Sequence, residues 1–280
     1  MAGTGINLLK RPNVHKVPGR SDIGPISRMN DSVVLTVLLP VRNETMNLRI
    51  MLRILRSVLT MPHEIVVIFD SEADTSIAVV EEVRATYPQV RPLLNAIGRG
   101  VAGAITSGVQ TASGERILIF AADEVGPVLA IEDMMTLMDD GAEFVSVTRY
   151  AHGGRRLGGS TIGQILSRTA NALLGAISGM GLSDATTGIK LFRRADFNRL
   201  TQGTSSVGWS IAFEMAINAQ LLGLKLGEVP TISVDRLFGG RSSFQLVPWV
   251  IGYFGYFATA LRKLPRAGRP SVAVRIPPGM

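Results

Sequence analysis

The sequence predicts an α/β fold in which a mixed, mostly parallel β-sheet is flanked by helices. Strand-like and helix-like segments alternate from residue 33 to residue 120, the pattern of right-handed βαβ crossovers. The strand-like runs are continuously apolar rather than alternating, as in Val33–Pro40 (VVLTVLLP), so both faces must be covered by helices. Each run also stops abruptly at polar residues, and open α/β sheets bind ligands in the crevice beyond the carboxyl ends of their strands.

Residues 1–32 mix Gly, Pro, Arg and Asn without periodicity and are expected to form a mobile arm. Val33–Pro40 is the first strand, with Arg42-Asn43-Glu44 at its mouth. Met46–Leu59 has apolar residues at helical spacing with Arg49, Arg53 and Arg56 opposite, an amphipathic helix. Glu64–Phe69 is the second strand and runs into Asp70-Ser71-Glu72-Ala73-Asp74. A helix over Ala78–Thr86 and a short strand near Val90–Leu94 follow. A glycine-rich turn over Asn95–Gly103 then opens a helix to about Thr111. Arg116–Phe120 is the fourth strand and ends in Asp123-Glu124, then Gly126-Pro127.

Beyond it the pattern predicts a helix over Ile131–Met138, a strand over Phe144–Thr148 ending at Arg149-Tyr150, and a flexible Gly/Arg loop over His152–Gly159. A helix over Ile162–Ile177, a loop carrying Ser183-Asp184, a strand at Lys190–Phe192 and a helix over Ile211–Leu222 come next. Lys225–Pro230 and Ile232–Asp235 close the sheet. Ser242–Leu261 is an uncharged run of 20 residues rich in aromatics, before a Pro/Arg-rich tail. The organisation expected is therefore an arm (1–32), a main α/β domain (33–243), an apolar helix (244–263) and a basic tail (264–280).

The formal charge is +7, but the ends carry it. Residues 34–261 hold 19 basic and 20 acidic residues, so the core is not a nucleic-acid binder. There is no cysteine, which excludes disulfides, thiolate metal sites and cysteine nucleophiles. Ile6–Leu9 is too short for a signal core before Lys10-Arg11.

Gly98-Arg99-Gly100-Val101-Ala102-Gly103 fits the dinucleotide fingerprint G-x-G-x-x-G. That motif follows the first strand of its unit, whereas three strands precede it here, which argues against NAD. Three strand mouths carry polar groups instead: Asn43-Glu44, Asp70 to Asp74 and Asp123-Glu124. Side by side in one parallel sheet, their carboxylates would repel unless a divalent cation or ribose hydroxyls sat among them. Each could also be a helix cap or a solvated loop acid.

In order and spacing these motifs resemble the family 2 glycosyltransferases of GT-A fold, in particular polyprenyl- or dolichyl-phosphate mannose and glucose synthases. Leu39-Pro40-Val41-Arg42-Asn43-Glu44 resembles P-x-Y-N-E, which implies that Pro40, Asn43 and Glu44 hold base and ribose. Phe69 to Thr75 resembles D-D-G-S-x-D-x-T, implying nucleoside contacts for Asp70 and Asp74. Asn95 to Gly103 resembles the N-x-G-x-G-x-A turn, with Asn95 and Gly100 beside the donor. Ala121-Ala122-Asp123 stands where the family has D-x-D, so Asp123, helped by Glu124, is the implied ligand of Mg²⁺ or Mn²⁺. Ser183 to Gly188 resembles the acceptor loop D-x-x-S/T-G, Glu228-Val229-Pro230 the E-V-P segment, and Arg236 with Arg241-Ser242-Ser243 the segment R-x-x-G-x-S. Ala121, Phe69 and Arg42 depart from the pattern.

The resemblance implies inverting transfer from a UDP- or GDP-sugar to a polyprenyl phosphate or another lipid or glycan acceptor. Arg149, with Arg155 or Arg156, would position an acceptor phosphate; Asp184 would be the base for a hydroxyl acceptor; Arg236 and Arg241 would close over the diphosphate. A non-catalytic nucleotide-sugar module and a nucleotidyltransferase stay open. The apolar run suits an interfacial helix on an anionic membrane, or burial in a core or a homo-oligomer interface. A cytoplasmic protein, peripheral at the inner face of a membrane, is the localisation expected.

Overall fold

The structure, a computed structural model, describes residues 32–158, 160–202, 208–234 and 246–277, with the side chains of 246–254 excepted. The arm up to residue 31, Arg236 and Arg241 lie outside the described residues.

The elements follow in order as β1 (Leu35–Val41), α1 (Thr45–Val58), β2 (His63–Phe69), α2 (Ile77–Arg84), β3 (Val90–Leu94), α3 (Val101–Thr111) and β4 (Arg116–Ile119). A 3-10 turn (Gly126–Ala130) leads into α4 (Ile131–Asp139), β5 (Phe144–Thr148), β6 (Arg155–Leu157) and α5 (Thr161–Leu173), which continues as a π-turn over Leu174–Ser178. Then come β7 (Lys190–Arg193), α6 (Phe197–Leu200), α7 (Ser210–Leu221), β8 (Leu226–Pro230), β9 (Ile232–Val234), α8 (Leu246–Ala267) and β10 (Val272–Val274).

Eight strands form the main sheet in the order β10-β8-β5-β7-β4-β1-β2-β3. Only β7 is reversed, antiparallel to β4 and β5, while the other neighbours are parallel. The mixed, mostly parallel sheet of the sequence reading is present. One apolar layer, with Leu48, Met51, Leu52 and Met134, covers one face, and another, with Ile105, Phe213 and Ile217, covers the other. This explains why β1 and β2 are apolar throughout: their residues are buried on both sides.

Pro40 lies inside β1, a central strand, although proline cannot donate to a ladder. The register resolves this. Leu38 is the last β1 residue paired with β4, and its carbonyl accepts from the Phe120 amide at 3.0 Å. Pro40 has the same parity and faces the side where β4 has already ended. The early end of β4 opens the crevice there.

Three expectations are corrected. The loop expected over His152–Gly159 contains β6, which pairs with β9 in a two-stranded sheet, since the Arg155 amide donates to the Thr231 carbonyl at 2.9 Å. The tail expected from residue 264 carries the last turn of α8 and β10, an edge strand paired with β8. The interfacial reading of residues 244–263 does not hold for the described half of α8. From Tyr256 onward its apolar side packs on α7, with Ala260 and Leu264 fully buried, and Tyr256 meets Phe213 edge-on. Among the described residues no helix is long and apolar enough to cross a membrane.

Candidate active site

The ends of β2, β1 and β4 are adjacent, so the three polar mouths are neighbours. Glu44, Asp70 and Asp123 line one cavity of about 880 Å³, with Pro40, Gly100 and Glu214 also in its wall. A second hollow of about 510 Å³ adjoins it around Arg42, Asn43, Asp70 and Asp74.

Its floor is braced by the acids themselves. Asn43 adopts φ 55°, a left-handed conformation Asn tolerates better than most residues. Its amide donates to both Asp74 oxygens at 3.1 and 3.0 Å, and its Oδ1 accepts from the Thr75 amide at 3.1 Å. Asp74 also takes the Ser76 amide at 2.8 Å and is only 8% exposed. The Asp74 carboxylate clamps the β2 loop to the β1 mouth while lining the second hollow beside Asp70. Asp70 ties β2 to the glycine turn, accepting from Asn95 Nδ2 at 2.8 Å and from the Gly100 amide at 2.8 Å, while still facing the cavity. Asn95 is the hub of that turn, its Oδ1 accepting from the Ile97 amide and Ser107 Oγ. Glycine is required at 103, where a Cβ would lie 2.0 Å from the Gly98 carbonyl oxygen. Gly98 and Gly100 both have positive φ.

Asp123 lines the cavity; Glu124 does not. The Glu124 carboxylate instead accepts from Ser233 Oγ of β9, so its pairing with Asp123 as a second metal ligand is corrected. Among the described residues no three acidic or histidine side chains form a ready-made cation site. A hard cation at Asp123 fits only with substrate oxygens completing its shell, the usual condition for Mg²⁺ on one or two carboxylates.

Arg149, at the end of β5, and Asp184 lie outside the cavity wall. They are locked together: Arg149 Nε and Nη2 donate to Asp184 Oδ2 and Oδ1 at 2.7 and 3.0 Å. Asp184 also accepts from the Arg149 amide, Asn171 Nδ2 and Thr186 Oγ1. Burial would raise its carboxyl, but the Arg149 charge and hydrogen bonds, with Lys190, hold it below the usual carboxylate range. With five donors on two oxygens and no exposure, Asp184 has no site for a substrate proton, and its assignment as general base is corrected.

Sequence reasoning gave no site role to the charged groups beneath and beside this pair. Lys190 is fully buried and donates to Ser146 Oγ at 2.7 Å; burial pushes its ammonium down to about 7. Glu228 takes the Ser183 and Asp184 amides and Ser183 Oγ, and burial pushes its carboxyl up to about 7. Glu214 in the cavity wall was also missed as a site residue; the one charged residue inside the largely buried helix SIAFEMAINAQL was the available signal.

Comparison with known proteins adds the chemistry class. The family profile described as "Glycosyl transferase family 2" matches residues 36–201. A dolichol-phosphate mannosyltransferase of Mycosarcoma maydis is 24% identical over 225 residues, 78% of this chain and 74% of that protein. One from Pyrococcus furiosus is 27% identical over 122 residues, 43% of this chain and 34% of that protein. Among solved structures, glucosyl-3-phosphoglycerate synthase from Mycobacterium tuberculosis, in complex with Mn²⁺, UDP-glucose and phosphoglyceric acid, superposes with a TM-score of 0.61 at 16% identity. That match covers 82% of this chain and 80% of that one. The same enzyme with Mg²⁺ and UDP gives 0.59 at 16% identity, over 83% and 79%. At such identity the structural likeness speaks for the GT-A fold. The nucleotidyltransferase and non-catalytic alternatives are set aside by the profile, which spans more than half of the sequence: the chain belongs to glycosyl transferase family 2 and is a glycosyltransferase.

Proposed function

We propose that this glycosyltransferase moves a sugar, with inversion, from a nucleotide-diphosphate sugar to a phosphate-bearing acceptor, a polyprenyl or related lipid phosphate. The observation that carries the reading is the gathering of Glu44, Asp70 and Asp123 around one cavity. In it Asp70, Glu44 and the Gly98–Gly103 turn hold the nucleoside, with Asn43 in the adjoining hollow. The turn's glycines, Gly98 and Gly100, carry no side chain in the way of a close approach by ribose or phosphate. Asp123 would hold Mg²⁺ or Mn²⁺ at the diphosphate end, and the cation would supply Lewis-acid neutralisation of the leaving diphosphate. Both metals accompany UDP in the similar mycobacterial enzyme.

An acceptor phosphate is already anionic and attacks the anomeric carbon through its own oxygen, without a base. That agrees with Asp184 being committed to Arg149. The fork fixes the Arg149 guanidinium, whose Nη1 makes no hydrogen bond to a described residue, toward an incoming phosphate. The relatives named for dolichol phosphate support this class of acceptor. The test is a matrix of UDP-, GDP- and CDP-sugars against polyprenyl phosphate, free polyprenol and a soluble sugar acceptor, with Mg²⁺ or Mn²⁺. Transfer to the phosphate alone is expected; transfer to free polyprenol or sugar hydroxyls at an equal rate would remove the phosphate acceptor.

A further inference from the structure

The helix α5 is built inside out. Ile162, Ile165, Leu166, Leu173 and Ile177 are 43–65% exposed and fall at offsets 0, 3, 4, 11 and 15. That is one stripe along α5 and its π-turn. The opposite side is polar and faces the protein. Ser167 Oγ accepts from Tyr150 Oη at 2.9 Å and pairs with Thr186 Oγ1 at 2.8 Å. Asn171 donates to Thr186 Oγ1 at 2.8 Å and accepts the Ala185 amide at 2.9 Å. Soluble surface helices have the reverse polarity, and exposed apolar stripes of this size mark interaction surfaces.

The charge around the stripe says what covers it. Arg168 is exposed on the flank of the stripe, midway along the helix, and α5 contains no acid. At its start, Gln164 Nε2 donates to the Arg156 carbonyl, which brings β6, with exposed Arg155 and Leu157, alongside. At its far end, exposed Arg269 lies against Gly179, and α8, with exposed Arg262, Lys263 and Arg266, packs on the π-turn. An apolar stripe with a cation on its flank and cations near both ends matches an anionic lipid surface.

We propose that the outward face of α5 docks the protein onto an anionic bilayer. The apolar side chains enter the boundary between headgroups and acyl chains. Tyr150, Ser167, Asn171 and Thr186 join α5 to the Arg149–Asp184 fork. A helix about 10–12 Å across therefore separates the membrane from Arg149, which keeps that guanidinium near headgroup level. This last step rests on the lipid-phosphate reading above; the docking itself does not.

The test uses flotation of the full chain with vesicles of equal parts phosphatidylcholine and phosphatidylglycerol, containing no polyprenyl phosphate. The wild-type chain is expected to float. Ile165→Asp/Leu166→Asp should lower partitioning on the order of tenfold or more, with circular dichroism unchanged because both side chains point outward, and Arg168→Glu should weaken it as well. A wild-type chain that stays at the bottom overturns the proposal. So does a double variant that floats like wild type while sedimentation velocity shows it falling from dimer to monomer, which would give the face to a second copy of the chain. A chain that floats yet never uses polyprenyl phosphate supports docking and removes the acceptor reading instead.

Discussion

Arg149 closes a fork on the fully buried Asp184 carboxylate, Nε to Oδ2 at 2.7 Å and Nη2 to Oδ1 at 3.0 Å. Breaking such a pair strands a buried charge, at a cost of about 3–5 kcal/mol, whereas removing both partners costs much less than the sum. Arg149→Met and Asp184→Asn should each lower stability strongly, and the double variant should show a coupling of about 2 kcal/mol or more in urea denaturation. Arg149→Lys keeps the charge and loses the fork. It should raise acceptor KM about tenfold and leave donor KM alone; a change confined to donor KM would move Arg149 out of the acceptor site.

The glycine turn gives a second prediction. Gly103→Ala would place its Cβ 2.0 Å from the Gly98 carbonyl oxygen, so the turn that Asp70 and Asn95 hold together must open. A cost of about 1–3 kcal/mol is expected, with weaker nucleotide binding by calorimetry. Gly255→Ala in α8 meets nothing within 4 Å and should be neutral or gain about 0.5–1 kcal/mol. Equal effects of the two substitutions would show that the turn carries no constraint.

Acid stability has a local source at the other end of the sheet. Glu64 accepts from Thr36 Oγ1 at 2.8 Å, Arg91 Nε at 2.8 Å and the Ser113 amide. Burial would raise its carboxyl, but the Arg91, Ser113 and Thr36 hydrogen bonds bring it below its ordinary 4.5. A depressed folded pKa means the unfolded chain binds more protons through that window. The stabilisation is therefore present above about pH 4.5 and is lost as pH falls through the folded value. Glu64→Gln should cost about 1–2 kcal/mol at neutral pH and flatten the acid limb of stability against pH. An unchanged limb would place the acid sensitivity elsewhere.

Much of this was legible in the sequence because the informative signals are local. Continuous apolar runs located β1, β2 and β4, and their polar ends fell into one crevice because parallel neighbours end on the same side. What escaped depends on direction and depth. The four residues of β7 carry no mark of their reversal, which only pairing with β4 and β5 reveals. Asp123 and Glu124 are adjacent letters, yet one faces the cavity and the other turns to Ser233. Asp184 looked like a base because its residue type is visible while its five donors are not. The apolar letters of α5 predicted a helix correctly, but periodicity cannot say whether the stripe faces in or out.

The split between Asp123 and Glu124 supplies the sharpest test of the donor site. Asp123 lines the cavity, while the Glu124 carboxylate is engaged by Ser233 Oγ. If a divalent cation bridges Asp123 and the donor diphosphate, Asp123→Asn removes its protein carboxylate, and transfer should fall about 10²–10³-fold, the scale for losing one charge-stabilising group. Glu124→Gln keeps a side chain able to meet Ser233 and should stay within about tenfold of wild type. Chelator should reduce wild-type transfer to the level of Asp123→Asn and leave that variant unchanged, since both act on the same interaction. A chelator effect of equal size on both proteins would put the cation somewhere other than Asp123, and full activity in chelator would remove the cation from the reaction.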